Sequence, residues 1–523
     1  MRLTRTGALV AAVALGAGTL GFAPATDASV DAFADSANIE HLGQIEYPQR
    51  QQSSPANGGT DLEFVTLTVA PEKVVGYGHA SPDVDADPDT DGLQRTYAVA
   101  GSYDNGVHII DVTVPGEEAR ASIYECGLYQ GDIQIFTRDD LPGRTFATTT
   151  QDSLSSIGLR NGDACITAVN QQRRFGTYIF EITDPTAPVT LSFAPFDKGS
   201  HNMTVHPSGK YLYNSNSELI TNARAAAIEV TDITDLAKPK AVTTLPLPPR
   251  PGLGTDSHDI TFNADGTRAY SAALSQTVII DTSKPAAPRI VTSFVDPAIN
   301  VEHQANPITI DDPILGERDF LIVEDEFAGA AGAEQTCPSG GVHVWDITDE
   351  TLPVKVGYWN IDDVTSTEPN DVVNPLELGS CTAHVFQLHE EEQLMTIAFY
   401  TQGVSVVDLS GLVGVALGAN GVGMEEVAYA HFTDSNTWAV KAPSVTRDGT
   451  FAMYGNDLNR GFDGYEVTLD LPAVGESALL GASVGTGRDV WLSPEAALQR
   501  ARLAGPADLT DYRPFCLLGS TER

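Results

Sequence analysis

The strongest constraint on the fold of this chain is a short phrase that returns seven times. It reads GVHIIDVT from Gly106, TYIFEITD from Thr177, AAIEVTDITD from Ala226 and QTVIIDTS from Gln276. It continues as GVHVWDIT from Gly341, GVSVVDLS from Gly403 and FDGYEVTLD from Phe462. Each copy is a β-branched or aromatic run ending on an acidic residue and a polar turn, the pattern of a strand that closes at a turn. Successive copies lie roughly 50 to 70 residues apart, which is room for four short strands. A second strand-like run precedes each phrase, as in KYLYNSNS and TRAYSAAL, and HPSGK and NADGT ahead of these two are tight-turn signals.

The spacing predicts an all-β fold, a seven-bladed β-propeller, which suits a soluble chain because a closed ring leaves no free sheet edge. A β-helix or a pair of sandwiches does not account for one phrase returning at blade spacing. The expected plan is a signal peptide over 1–25, an N-terminal arm over 26–60, the propeller over 61–470, and a C-terminal extension over 471–523 packed on it. Within that extension, LSPEAALQRARLAG (492–505) reads as one short helix capped by Ser493.

The amino terminus places Arg2 and Arg5 before a Gly- and Ala-rich apolar run and then Ala23-Pro24-Ala25, the layout of a cleaved export signal. The run is too short to favour spanning a bilayer. The expectation is a secreted, soluble monomer without stable membrane insertion. Its five cysteines then meet an oxidising compartment. Proximity in sequence pairs Cys126 with Cys165 and Cys337 with Cys381 and leaves Cys516 free. With 30 basic against 70 acidic residues, a net charge of −40, the surface repels nucleic acid and anionic membranes. An extracellular ligand, protein or glycan remains as the partner class.

Stepping back one hairpin from each second strand locates the innermost strands. They begin at TDLEF (Asp61, Glu63), GDIQIF (Asp132), HNMTV (His201), HDITF (His258), HQANPI (His303), HVFQL (His384) and TWAVK (Trp438, Lys441). Four histidines thus start four successive inner strands, with Asp132 and Glu63 or Asp61 expected in the same slot of the blades before them. Converging imidazoles suit Zn, Fe, Cu or Mn, with Asp132 or Glu63 as a further ligand. The alternative is a hydrogen-bonded polar ring around a wet axis, without metal. His206 and His389 lie five residues beyond His201 and His384, an odd offset that faces the other way along a strand. His108 and His343 fall within the repeated phrase and are expected on outer strands. DVDADPDTDG (83–92) alternates aspartates from Asp83 to Asp91, but Gln94 stands where an EF-hand needs Glu. A solvated hairpin tip and a looser calcium site are the two readings of that loop. No G-x-S-x-G, H-E-x-x-H, phosphate-loop or dinucleotide motif occurs.

Longer blocks, including YAVAGSYDNG, SHNMTVHPSGKYLYNSNS, PGLGTDSHDITFNADGTRAYSAALS and CTAHVFQLHEEEQLMTIAFY, resemble the secreted bacterial LVIVD-repeat proteins, and in particular their actinobacterial group. The resemblance covers about residues 61 to 468. It implies a β-propeller and carries no catalytic assignment. Two functions stay open. The first is a binding or scaffold protein with a polar, histidine-rich axis. The second is an extracellular metal-dependent enzyme, an oxidoreductase or a hydrolase/lyase, with His201, His258, His303 and His384 as ligands.

Overall fold

The recurring phrase forms the third strand of each of seven antiparallel sheets that follow one another in chain order. The computed structural model describes residues 32–48, 58–75, 92–103, 105–128, 130–151, 163–169, 175–197, 199–216, 226–250, 254–312, 316–326, 340–361, 381–415 and 423–474. The inner strands of blades 1 to 7 are Gly59–Val69, Gln130–Thr137, Asn202–Val205, Asp259–Phe262, Glu302–Asp312, His384–His389 and Thr437–Lys441. Each packs against the next and the seventh packs against the first, which makes the seven-bladed ring. The expected signal peptide, the aspartate-rich loop at 83–91, Cys337, Cys516 and the helix at 492–505 all lie outside the described residues. Short helices at Ala164–Val169 and Leu412–Val415 lie between blade strands.

The phrase is rich in apolar residues because a third strand is covered on both faces by neighbouring blades. Every residue of Gly106–Asp111 and of Val404–Asp408 is buried. The outer strand Lys240–Pro246, by contrast, is largely exposed. The acid that ends the phrase has a local task. Asp111 accepts hydrogen bonds from the Thr113 amide and hydroxyl, Asp281 does the same for Ser283, and Asp232, Asp346 and Asp408 each accept an amide two residues on. This side-chain turn stops the strand where the outer strand must begin. An arginine meets the same acid in several blades: Arg95 with Asp111, Arg144 with Glu181, Arg318 with Asp346, and Arg447 with Asp408. Part of the small basic complement is therefore committed to holding blades.

Residues of the segment 26–60 complete two blades. Ala32–Asp35 adds a fifth strand to blade 6 beside Glu425–Phe432, and Ile39–Ile45 is the outermost strand of blade 7, paired with Gly461–Asp470. The two ends of the ring are thus joined by main-chain hydrogen bonds. A buried charge cluster backs the seam. Arg460 spans both oxygens of Asp463 at 2.8 and 2.9 Å and bonds Asp434 at 2.9 Å, and its guanidinium lies 3.8 Å from the Phe432 ring centroid. His41 of the N-terminal strand reaches Asp463 at 2.8 Å. The disulfide Cys126–Cys165 ties blade 1 to the helix Ala164–Val169, and Cys381 is also disulfide-bonded.

Asp463 and Arg460 are both 1% exposed, so Asp463→Asn leaves a buried guanidinium with only the half-exposed Asp434 carboxylate as its anion. The variant is expected to lose about 3–5 kcal/mol in urea unfolding. A loss below about 1 kcal/mol, the size of a surface pair, would contradict this account of the seam.

Candidate metal centre

The start of an inner strand is where the sheet geometry breaks. In five blades the pairing of first and second strands slips there, between Gly59 and Leu62, Gln130 and Ile133, Glu302 and Ala305, His384 and Phe386, and Thr437 and Ala439. Such bulges re-aim side chains away from the sheet normal. The buried residues Leu62, Ile133, Met203, Ile260, Ala305, Phe386 and Ala439 pair in step with their second strands and fix the alignment of the seven blades. Two positions earlier stand Thr60, Gly131, His201, His258, His303, His384 and Thr437. The histidines share one slot. Asp61 and Asp132 come one residue later and Glu63 three, so they stand on a different register from the imidazoles.

The four rings form an unbroken row. Centroids are 4.5 Å apart for His201 and His258, 4.1 Å for His258 and His303, and 4.3 Å for His303 and His384. None is more than 3% exposed. His384 continues the row to Tyr400 at 4.6 Å and Trp438 at 4.7 Å.

A carboxylate absent from the sequence reading joins them. One donor atom each from His258, His303 and Glu326 lies within 4.8 Å of the other two. Glu326 follows the second strand of blade 5, in the run IVEDE, and is fully buried. Its Oε2 is 3.8 Å from His303 Nε2 and its Oε1 is 3.7 Å from His384 Nε2. The Tyr400 hydroxyl donates to Oε1 at 2.7 Å. Tyr400 reaches this position from a left-handed backbone, φ 45°, which costs a non-glycine residue about 1 kcal/mol or more. The signal was available in principle: Glu324 and Glu326 are two residues apart and share a face, while Asp325 between them turns to the Asn300 and Val301 amides.

The outward nitrogens are held. His303 Nδ1 is 2.6 Å from Glu324 Oε2, and His384 Nδ1 donates to the Trp438 carbonyl at 2.6 Å. Partners of this kind set the orientation of imidazole ligands and leave Nε2 to face the centre. Burial pushes His384 down to about 3 and holds His258 and His303 well below the usual imidazole range, with neighbouring imidazoles adding to the effect. Their lone pairs are therefore available at neutral pH. His384 Nε2 is buried without a hydrogen-bond partner. The donor set and this orphaned nitrogen fit a divalent transition ion.

His201, His303 and His384 line a cavity of about 830 Å³ that runs along the axis, and Asp61, Glu63 and Asp132 line it as well. Lys441 Nζ donates to Asp61 at 3.0 Å and to Glu63 at 2.7 Å. Asp132 Oδ2 accepts the Met203 amide at 2.8 Å, and Asp61 Oδ2 accepts the Ile133 amide at 3.1 Å, so both stitch one blade to the next. Burial raises Glu63 and, with Asp61 nearby, holds Asp132 well above the ordinary carboxyl range. Three further histidines lie against other partners. His206 bonds the Gly266 carbonyl, His108 stacks on Tyr47 at 3.9 Å, and His343 accepts from Lys355 at 2.7 Å beside Asp296.

No family model matches the sequence, and no curated protein matches it. Solved structures of β-propellers show a distant likeness. The periplasmic gluconolactonase of Pseudomonas aeruginosa aligns with a TM-score of 0.44 at 10% identity, covering 79% of this chain and 98% of that one. The propeller domain of Myceliophteria thermophila Cps50 (Swd1) aligns with a TM-score of 0.44 at 9% identity, over 79% and 99%. A functionally unknown protein from Desulfotomaculum acetoxidans gives 0.41 at 15% identity, over 65% and 83%. These likenesses carry no argument about what the chain does. Among the described residues no helix is long and apolar enough to cross a membrane.

Two outcomes follow from burial. Lys441→Met strands Asp61 and Glu63, and is expected to cost about 3–5 kcal/mol in chemical unfolding; an unchanged midpoint would show that the ammonium does not hold the channel. His343 is pushed down to about 4, first by burial. Its folded value lies below the unfolded value of about 6.5, so its contribution is present above that pH and is lost as pH falls toward 4, by about 1.4 kcal/mol per pH unit. His343→Gln is expected to flatten the fall in unfolding free energy between pH 6.5 and 4 by about that slope.

Proposed function

We propose that this protein is a metal-dependent enzyme whose centre is the axial cluster of His258, His303 and Glu326, with His384 Nε2 as the adjoining donor. The observation that supports it most is the meeting of two buried imidazole nitrogens and a buried carboxylate oxygen, with the far nitrogen of His303 already held by Glu324. A purely structural ring would satisfy its polar atoms among themselves, whereas His384 Nε2 is left without a hydrogen bond. A bound Zn, Fe, Cu or Mn ion would supply Lewis acidity and an activated water. His201 closes the row beside the centre. Asp132, which lines the channel with its carboxyl held above the ordinary range, is the group we assign to proton transfer. Glu63 is occupied by Lys441 and serves to fix that ammonium. A buried carboxyl poised to exchange protons favours hydrolysis or elimination over electron transfer. We further propose that the protein acts outside the cytoplasm and belongs with the LVIVD-repeat propellers, on the amino-terminal pattern, the disulfide Cys126–Cys165 and the seven phrase copies.

Elemental analysis of tag-free protein tests the reading. The wild type is expected to retain about one transition ion per chain, and His258→Ala and Glu326→Gln are expected to fall below about 0.1 while His206→Gln retains the ion. Wild-type protein that holds less than about 0.1 ion per chain after exposure to Zn, Mn, Fe and Cu would return the axis to a structural polar ring in a binding or scaffold protein.

A further inference from the structure

The axial channel is unevenly charged. Eight carboxyl-bearing residues line it against two cations, Lys441 and Arg268. Both cations are already taken: Lys441 by Asp61 and Glu63, and Arg268 by Glu350 at 2.7 Å. Asp132 and Asp259 are left with neutral partners, the Met203 amide for Asp132 and the Asn202 side chain and Ile260 amide for Asp259. Asp132 lies within electrostatic reach of Asp259, Asp61 and Lys441, so the two carboxyls share the same stretch of the axis. Toward the mouth, Asp265, Asp319 and Glu390 extend the negative lining. His384, fully buried and with Nε2 lacking a hydrogen-bond partner, lines the same cavity. The acidic wall and the orphaned imidazole bound a single cavity.

We propose that this channel takes a ligand bearing a protonated amine, whose ammonium group lies against Asp132 and Asp259 while the rest of the molecule extends to the histidine row. The proposal deepens the metal-centre reading by naming its substrate class. Lys441 shows the chemistry in place, since an ammonium already sits between two channel carboxylates at 2.7 and 3.0 Å. A low-dielectric, acid-lined cleft in a chain of net charge −40 raises the local concentration of cations and repels carboxylates and phosphates. A cavity of about 830 Å³ accommodates a small organic amine rather than a bare ion alone.

Calorimetric titration with putrescine, 1,4-butanediol and succinate, on protein whose metal content is measured in the same sample, tests the assignment. Putrescine is expected to bind at one site per chain while the diol and the diacid do not. Asp132→Asn is expected to weaken putrescine at least about tenfold, Asp132→Glu to restore it, and the exposed Asp349→Asn to leave it unchanged. Equal binding of the diol, or putrescine binding that survives Asp132→Asn, would overturn the proposal, the latter because it would place the amine on the general acidic surface. Loss of metal in His258→Ala with putrescine binding retained would support the amine site. A wild type that binds putrescine in this pattern but no metal would sink the metal reading and leave the amine site standing.

Discussion

Closing seven twisted sheets into a ring brings the start of every inner strand to one axis, and the rest of the molecule answers the crowding that results. Backbone amides that reach the axis have no ladder partner on the inner side and must find one across a blade boundary. Side chains from the preceding blade supply it. Asp61 takes the Ile133 amide, Asp132 takes Met203, Gln304 bonds both the amide and the carbonyl of Phe386, and Gln387 takes Ala442. Polar residues at the start of inner strands are thus structural before they are chemical. The histidine slot stands out because its rings also meet one another, in a row from His201 to His384.

The same crowding explains the electrostatics. Groups at the axis lose water, so imidazoles are driven neutral and carboxyls are driven toward protonation unless a cation is close. Lys441 provides that cation for Asp61 and Glu63 on one side of the channel. On the other side Glu326 accepts from the Tyr400 hydroxyl and Glu324 meets His303. Two carboxyls and three neutral imidazoles buried together form an environment that favours a positive guest.

Much of the fold was legible from sequence because a propeller repeats its apolar code. GVHIID and GVSVVD are the same strand in different blades, and walking back from them located the inner strands within a residue or two. The convergence of His201, His258, His303 and His384 followed from that count. Glu326 did not, because it sits past the end of a second strand, where no repeat position marks it, and its place beside the imidazoles under the Tyr400 hydroxyl shows only in three dimensions. The relation of Asp132 and Glu63 to the histidines was also beyond a strand-level count. A bulge at the start of the strand shifts register by one residue, and sequence alone does not distinguish neighbouring positions across it. Strands Ala32–Asp35 and Ile39–Ile45 were hidden by their distance in sequence from their partners.

That distance has a consequence for the life of the chain. The strand Ile39–Ile45 leaves the ribosome first among the blade strands that seal the ring, and its partner Gly461–Asp470 emerges some four hundred residues later. The ring has no closed form until the last blade exists, so the outer strand of blade 7 waits without its partner through nearly all of synthesis. The seam also sets where the chain can be cut without loss. New ends placed in an outer loop between blades 3 and 4, with the present ends joined, would turn this long-range contact into a local one and move ring closure to the new opening.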